Sequence, residues 1–260
     1  MPVTIAGLQH AGVAGDVDAN LRILAEAAAS ASQQGARILV TPEMFVTGYN
    51  IGERVAELVS PELVDRVADI ASTAGIAIVA GLPELLTDGK IANTLVVVDS
   101  DGALLLKYRK THLFGELDRS LFVAGDALPD PIEIDGVLLS FLICYDVEFP
   151  ETVRLAALAG ADAIIVPTAQ MEPYGHIAEH LIPVRAWENQ VYIVYVNHAG
   201  SENGLRYVGL SSIVDPRGAT LASVGGTDSS GLMIATIDPA VTAQARQDNP
   251  YLADRRPELY

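Results

Sequence analysis

Short runs of consecutive apolar residues recur along this chain, and they restrict its fold more than any other feature. Ile38-Leu39-Val40, Ile76-Ala77-Ile78-Val79-Ala80, Ile164-Ile165-Val166 and Val191-Tyr192-Ile193-Val194-Tyr195-Val196 are apolar on successive positions. A strand points alternate side chains to opposite faces, so such runs need cover on both faces. Stretches with helical spacing lie between them and supply that cover. Residues 18–34 carry Leu21, Leu24, Ala25 and Ala28 on one stripe, with Asp16 or Asp18 as cap and Gly35 as the stop. Further helices are expected near 61–74, from Pro150 to about 159, over 176–189 and near 239–247. Strands over 91–98 and 103–108 flank Asp101-Gly102 as a hairpin. Residues 109–136 read as a loop, and strands near 208–214, 219–224 and 231–237 complete the series. Hairpins among strand–helix–strand units imply mixed sheets. No linker or low-complexity segment interrupts the alternation, so residues 1–260 read as a single α/β domain.

Charge and cysteine content narrow the function. The formal net charge is −17, and Lys90, Lys107 and Lys110 are the only lysines. Phosphate backbones and anionic membranes need basic patches, so neither is expected as a partner. No apolar run reaches the roughly 20 residues of a membrane-spanning helix. The first residues read as a strand without the basic start of a signal peptide, which fits a cytoplasmic setting. One cysteine excludes an internal disulfide, and scattered histidines give no metal-ligand spacing.

The lone cysteine ends the apolar run Leu138-Leu139-Ser140-Phe141-Leu142-Ile143-Cys144. Pro150-Glu151-Thr152 then reads as the first turn of a helix. A cysteine between a strand end and a helix N-terminus is a candidate for a stabilised thiolate, rather than a buried small hydrophobe. Glu43 follows another strand end, in Thr41-Pro42-Glu43-Met44-Phe45. Desolvation there would raise its pKa and suit it to general-base work. Lys110 is a cation able to stabilise an oxyanion. His112 and His198 offer a rival cysteine–histidine pairing. Asp146 and Glu148 read as residues that fix the loop after Cys144.

Three segments together resemble the signature motifs of the nitrilase superfamily, the carbon–nitrogen hydrolases. They are Thr41-Pro42-Glu43, Tyr108-Arg109-Lys110-Thr111-His112-Leu113-Phe114 and Cys144-Tyr145-Asp146-Val147-Glu148-Phe149-Pro150-Glu151. Their order and separations match the family's, and the likeness covers essentially the whole chain. The tail Tyr251-Leu252-Ala253-Asp254-Arg255-Arg256-Pro257 is similar to the end of short aliphatic-amidase members. The resemblance implies a four-layer α-β-β-α sandwich with two mixed sheets and a Glu–Lys–Cys triad. Cys144 would be the nucleophile, Glu43 the base and Lys110 the oxyanion-stabilising lysine, with the Tyr145 backbone N–H as second oxyanion donor. Asp118 matches an additional active-site carboxylate, although the family uses glutamate there, and Glu116 competes for that place. Neither metal nor organic cofactor is implied.

The expected pocket lies beyond the strand ends, at Tyr49, Tyr145, Gln170, Met171 and Glu172, with Tyr174 and Trp187 as further candidates. Glu172 could hold a substrate ammonium. The expected reaction is hydrolysis of small aliphatic amides, including ω-amino or amino-acid amides, through a cysteine thioester. N-carbamoyl amines or nitriles are the alternative substrates, and a catalytically silent scaffold on the same fold is the non-enzyme alternative. Residues 249–260 carry Tyr251, Leu252, Leu259 and Tyr260 beside Arg255 and Arg256. That mixture suits an interface tail in a homodimer or higher homo-oligomer.

Overall fold

A computed structural model describes residues 1–259. Tyr260, part of the expected tail, lies outside the described residues. The strands, in chain order, are β1 (Val3–Gln9), β2 (Ile38–Val40), β3 (Ala77–Leu85), β4 (Ile91–Val98), β5 (Leu104–Arg109), β6 (Ile132–Ile134), β7 (Val137–Phe141), β8 (Ala163–Thr168), β9 (Tyr192–Asn197), β10 (Ser201–Glu202), β11 (Leu205–Arg206), β12 (Ser212–Val214), β13 (Thr220–Ser223) and β14 (Gly231–Ile237). They form two six-stranded sheets, ordered β14-β1-β2-β3-β4-β5 and β13-β12-β9-β8-β7-β6. Each sheet has three central strands that run parallel, β1-β2-β3 and β7-β8-β9, with antiparallel partners outside them. Read from β14 and from β6, the two pairing sequences are the same.

The successive apolar positions sort by parity into two faces. Val3, Ile5, Ile38, Val40, Ala77, Val79, Leu95 and Val97 meet Val137, Leu139, Phe141, Ala163, Ile165, Val194 and Val196 between the sheets. The alternate residues Ala6, Leu8, Leu39, Ile78, Ala80, Val96 and Val98 face the helices Val17–Gln33 and Glu62–Ala74. Ile164, Val166, Ile193 and Tyr195 face the helices Pro150–Leu158 and Ile182–Asn189. The layers are therefore helix, sheet, sheet, helix. In β2, β8 and β9 every residue is buried on whichever face it points to, which is why these strands show no polar alternation.

Local signals place the first helix as expected. Asp16, not Asp18, caps it by accepting the Ala19 amide at 2.9 Å. Three segments depart from the sequence reading. Residues 109–136 contain a short helix, Gly115–Arg119, and the strand β6, both too short to show a period. The strand near 208–214 shrinks to Ser212–Val214, because Gly209 and Leu210 turn left-handed at φ +64° and +57°. The short hairpin β10–β11 is a further element beyond the sequence expectation. Its Asn203-Gly204 tip, with both residues at positive φ, carries the sequence signature of a tight turn.

Candidate active site

The site gathers where strands end. Glu43 lies three residues beyond β2, Lys110 directly follows β5, and Cys144 lies three residues beyond β7. In open α/β sheets the carboxyl edge of the parallel strands is where loops can converge on a ligand. Glu43, Lys110 and Asp118 are all fully buried, and Cys144 nearly so.

Lys110 is the hub. Its Nζ donates to Glu43 Oε1 and to Asp118 Oδ2, both at 2.7 Å, and sits 5.8 Å from the Tyr49 ring centre. Burial works against its charge, but Glu43, Cys144 and Asp118 outweigh it and hold the ammonium well above its ordinary pKa. Asp118 also accepts the Tyr49 hydroxyl at 2.8 Å and the Phe114 amide at 2.9 Å. Glu116, on the same short helix, is exposed.

Glu43 Oε1 also accepts from Asn93 Nδ2 at 2.7 Å, while Oε2 is buried with no hydrogen-bond partner among the described residues. Burial raises the Glu43 pKa, Lys110 opposes the shift and Asp118 adds to it. A carboxylate with one oxygen anchored and the other free, and with a raised pKa, is suited to accept a proton.

Cys144 opens the 3₁₀ turn Cys144–Glu148 with φ at +47°, a left-handed conformation unusual for a residue with a side chain. The helix begins only at Pro150, so Cys144 is not at its N-terminus. This corrects the expectation of a dipole-stabilised thiolate. Burial and then the Glu43 charge push the thiol far up, against Lys110, the Thr168 hydroxyl and the Ala169 amide. The resting group is a thiol and needs a base. Tyr145, next in the turn, has one of the leading amides that a helical turn leaves without an internal partner.

Asp146 staples the lysine loop to the cysteine turn. Its Oδ1 accepts the Thr111 hydroxyl and the His112 amide at 2.9 Å, and its Oδ2 accepts the Tyr108 hydroxyl at 2.7 Å and the Ile143 amide at 2.9 Å. His112 Nδ1 also lies 2.9 Å from Asp146, and that hydrogen bond raises the histidine's pKa against burial. His198 Nε2 is 2.6 Å from the Glu43 carbonyl and stacks on Tyr207. Both histidines are thus engaged by groups other than Cys144.

Of the remaining candidates, Tyr49 and Met171 share an apolar cluster with Met44, Phe122 and Tyr207 beside the buried charges. The Gln170 main chain is pinned by Asn197, which accepts its amide at 2.8 Å and donates to its carbonyl at 3.1 Å. Tyr145 and Tyr174 both pack edge-on to Phe114. Glu172 does not join them: it is exposed and paired with Arg206 at 3.0 Å. Trp187 is 41% exposed on the outer helix Ile182–Asn189, against Tyr251, and is no part of the site.

Two residues beyond the motifs also shape the site. Asn93, inside β4, orients Glu43. Glu202, buried on β10, accepts the Tyr49 amide at 3.1 Å and the Tyr207 hydroxyl. The polar pair Asn93-Thr94 within an otherwise apolar strand is the available sequence signal for Asn93. Gly81 of β3 matters for space: a Cβ there would lie 2.3 Å from the Met44 nitrogen and 2.7 Å from the Pro42 carbonyl oxygen. Both are backbone atoms flanking Glu43, so Gly81→Ala must displace the base. Stability is expected to fall by about 1–3 kcal/mol, and kcat by about 100-fold if Glu43 moves by an ångström. Chemical denaturation and steady-state kinetics on the purified variant check both.

Residues 3–247 match the carbon-nitrogen hydrolase family, and the chain belongs to it. A Pseudomonas protegens protein described as a hydrolase in the pqqF 5′ region is 46% identical, over 99% of this chain and 95% of that one. An (R)-stereoselective amidase from a Pseudomonas species is 35% identical, over 96% and 90%. A solved variant of the amidase from Nesterenkonia sp. AN1 superposes with a TM-score of 0.89 at 37% identity, over 99% of this chain and 95% of that one. It carries the acetamide moiety of fluoroacetamide covalently on its active-site cysteine.

Proposed function

We propose that this protein is an amidase that hydrolyses small aliphatic amides to carboxylate and ammonia through a thioester on Cys144. The observation that carries this reading is the convergence of a buried thiol, a buried carboxylate with one free oxygen and a buried ammonium. The similar amidases, one with a cysteine adduct, support it.

Glu43 Oε2 takes the Cys144 thiol proton, and sulfur attacks the amide carbonyl carbon. Charge develops on the carbonyl oxygen, which Lys110 Nζ and the Tyr145 amide stabilise. As the tetrahedral species collapses, the C–N bond breaks and protonated Glu43 gives its proton to the departing nitrogen. Water then attacks the thioester, Glu43 accepts its proton and the thiolate leaves; the proton returns to sulfur as the carboxylate departs. Asp118 holds Lys110 in place.

Amides are expected to exceed nitriles. Comparing kcat/KM on propionamide and propionitrile tests this, and a nitrile preferred tenfold, about 1.4 kcal/mol, would overturn the assignment.

The protein also reads as a homodimer or larger homo-oligomer. Leu155 and Leu158 on Pro150–Leu158, Val184 and Trp187 on Ile182–Asn189, and Tyr251 of the tail are all more than 40% exposed on one outer layer. An exposed apolar patch with aromatic anchors suits a partner surface. Light scattering should give at least twice the chain mass, falling when Asn249 to Tyr260 are deleted. A full-length monomer at micromolar concentration would sink this reading.

A further inference from the structure

One buried carboxylate has no task in the mechanism above. Glu202 stands on β10, in a hairpin outside both large sheets, and is 5% exposed. Its Oε2 accepts three donors: the Tyr49 amide at 3.1 Å, the Asn50 amide and the Tyr207 hydroxyl. All three donors are neutral. The Asn50 side chain ties the same two segments again, donating to the Glu202 carbonyl at 3.1 Å, while Asn203 donates to the Asn50 carbonyl at 2.7 Å. Gly48 lets the loop lie this close, because it turns at φ +94° and a Cβ there would run into Glu202 Oε1. A buried charge is costly unless donors surround it, and a neutral side chain could satisfy two amides at less cost. What the carboxylate adds is one oxygen that fixes two segments at once.

Those segments lead to the two carboxylates that flank Lys110. Along the first, Tyr49 donates its hydroxyl to Asp118 Oδ1 at 2.8 Å, and Asp118 Oδ2 accepts Lys110 at 2.7 Å. Along the second, the Tyr207 ring stacks on His198 with centres 4.8 Å apart, and His198 Nε2 donates to the Glu43 carbonyl at 2.6 Å. A ring nitrogen can bond a carbonyl oxygen only by donating, so this contact fixes the tautomer. Glu43 Oε1 then accepts Lys110 at 2.7 Å. The side chains on both arms are buried, and Glu202 is where the arms meet.

We propose that Glu202 is a positioning residue for the reaction: by gripping the Tyr49 loop and Tyr207 together, it sets how closely Glu43 and Asp118 hold Lys110. This rests on the amidase reading, in which Glu43 is the base and Lys110 an oxyanion donor.

Three substitutions separate reach from charge. Glu202→Ala removes acceptor and charge together. Glu202→Gln removes only the charge, since one amide oxygen can still accept all three donors. Glu202→Asp keeps the charge but is one methylene short. With the arms slack, Lys110 should hold Glu43 less tightly. That ammonium opposes the raised Glu43 pKa, so the acid limb of kcat/KM on propionamide should move to higher pH by about half a pH unit or more in the Ala and Asp variants. Their kcat should fall by about 10–100-fold. Glu202→Gln should recover most of both losses. A protein that is merely less stable would lose amplitude with the limb in place. An unmoved limb in Glu202→Ala, or an Asp variant closer to the wild type than the Gln variant, overturns the proposal. If alanine unfolds the chain, Tyr207→Phe decides: it deletes one hydroxyl, keeps the ring stack and should move the limb the same way, and an unmoved limb there overturns the proposal equally. The pH dependence of Cys144 alkylation by iodoacetamide reads the same midpoint without an amide. A wild type that hydrolyses no amide therefore overturns the amidase reading, while the labelling midpoints still decide the role of Glu202.

Discussion

Alkylation of Cys144 by iodoacetamide is expected to depend on Glu43 rather than on an acidic thiol. Burial and the carboxylate raise the thiol pKa, so thiolate is scarce at neutral pH unless Glu43 accepts the proton. In the wild type the labelling rate should rise as pH passes upward through the raised Glu43 pKa, then level off. In Glu43→Gln that acceptor is gone, and labelling should follow the thiol itself and appear only in alkaline solution. At pH 7 the variant should label at least about tenfold more slowly, and kcat should drop by about 10²–10⁴-fold, the usual scale for a positioned base. The acid limb of kcat/KM has the same origin: activity is lost as pH falls through the raised carboxylate pKa, because protonated Glu43 cannot accept. Equal labelling rates in the two proteins at pH 7 would count against this mechanism. Cys144→Ala is the control, since it removes the nucleophile and should abolish both labelling and turnover.

The parts of this site visible in sequence were those encoded locally. Pro42-Glu43 after an apolar run, Lys110 after a strand and Cys144 before a turn each announced themselves by neighbours a few residues away. Gly35 and the Asp101-Gly102 hairpin were legible for the same reason, since a turn's backbone demands are met within three or four residues. What could not be read depends on pairing across long separations. Asn93 orients Glu43 only because β3 pairs with both β2 and β4, which brings position 93 under the base. Glu202 reaches Tyr49 across 153 residues. The order of two six-stranded sheets is likewise a matter of partners, not of periodicity. The thiolate expectation failed for a different reason. The Cys144 motif does precede a helix, but a five-residue 3₁₀ turn intervenes, and burial overrides any distant dipole. Glu172 and Trp187 failed because polarity and aromaticity carry no information on which side of a loop or helix they occupy.

Lys110→Met should have the largest effect on stability. The ammonium is completely buried between two carboxylates, and removing it leaves Glu43 and Asp118 facing one another without a counter-charge. Breaking a buried ion pair from one side typically costs about 3–5 kcal/mol, which in a chain of this size lowers Tm by roughly 6–20 °C. The loss should depend on pH in a definite direction. Glu43 already has a raised pKa, and without Lys110 it should rise further, because the counter-charge opposed that shift. A carboxyl whose folded pKa exceeds its unfolded one favours folding below the unfolded value and loses that contribution as pH climbs through the folded value. The variant should therefore lie closest to the wild type in mildly acidic solution and fall furthest behind near pH 8. Adding Glu43→Gln to Lys110→Met removes one stranded charge and should restore part of the stability at pH 8, yet none of the turnover, since base and oxyanion donor are then both missing. Thermal melts at two pH values together with an ammonia-release assay read these effects separately. A Lys110→Met protein as stable as the wild type at pH 8, or a turnover-competent double variant, would contradict the role assigned to this cluster.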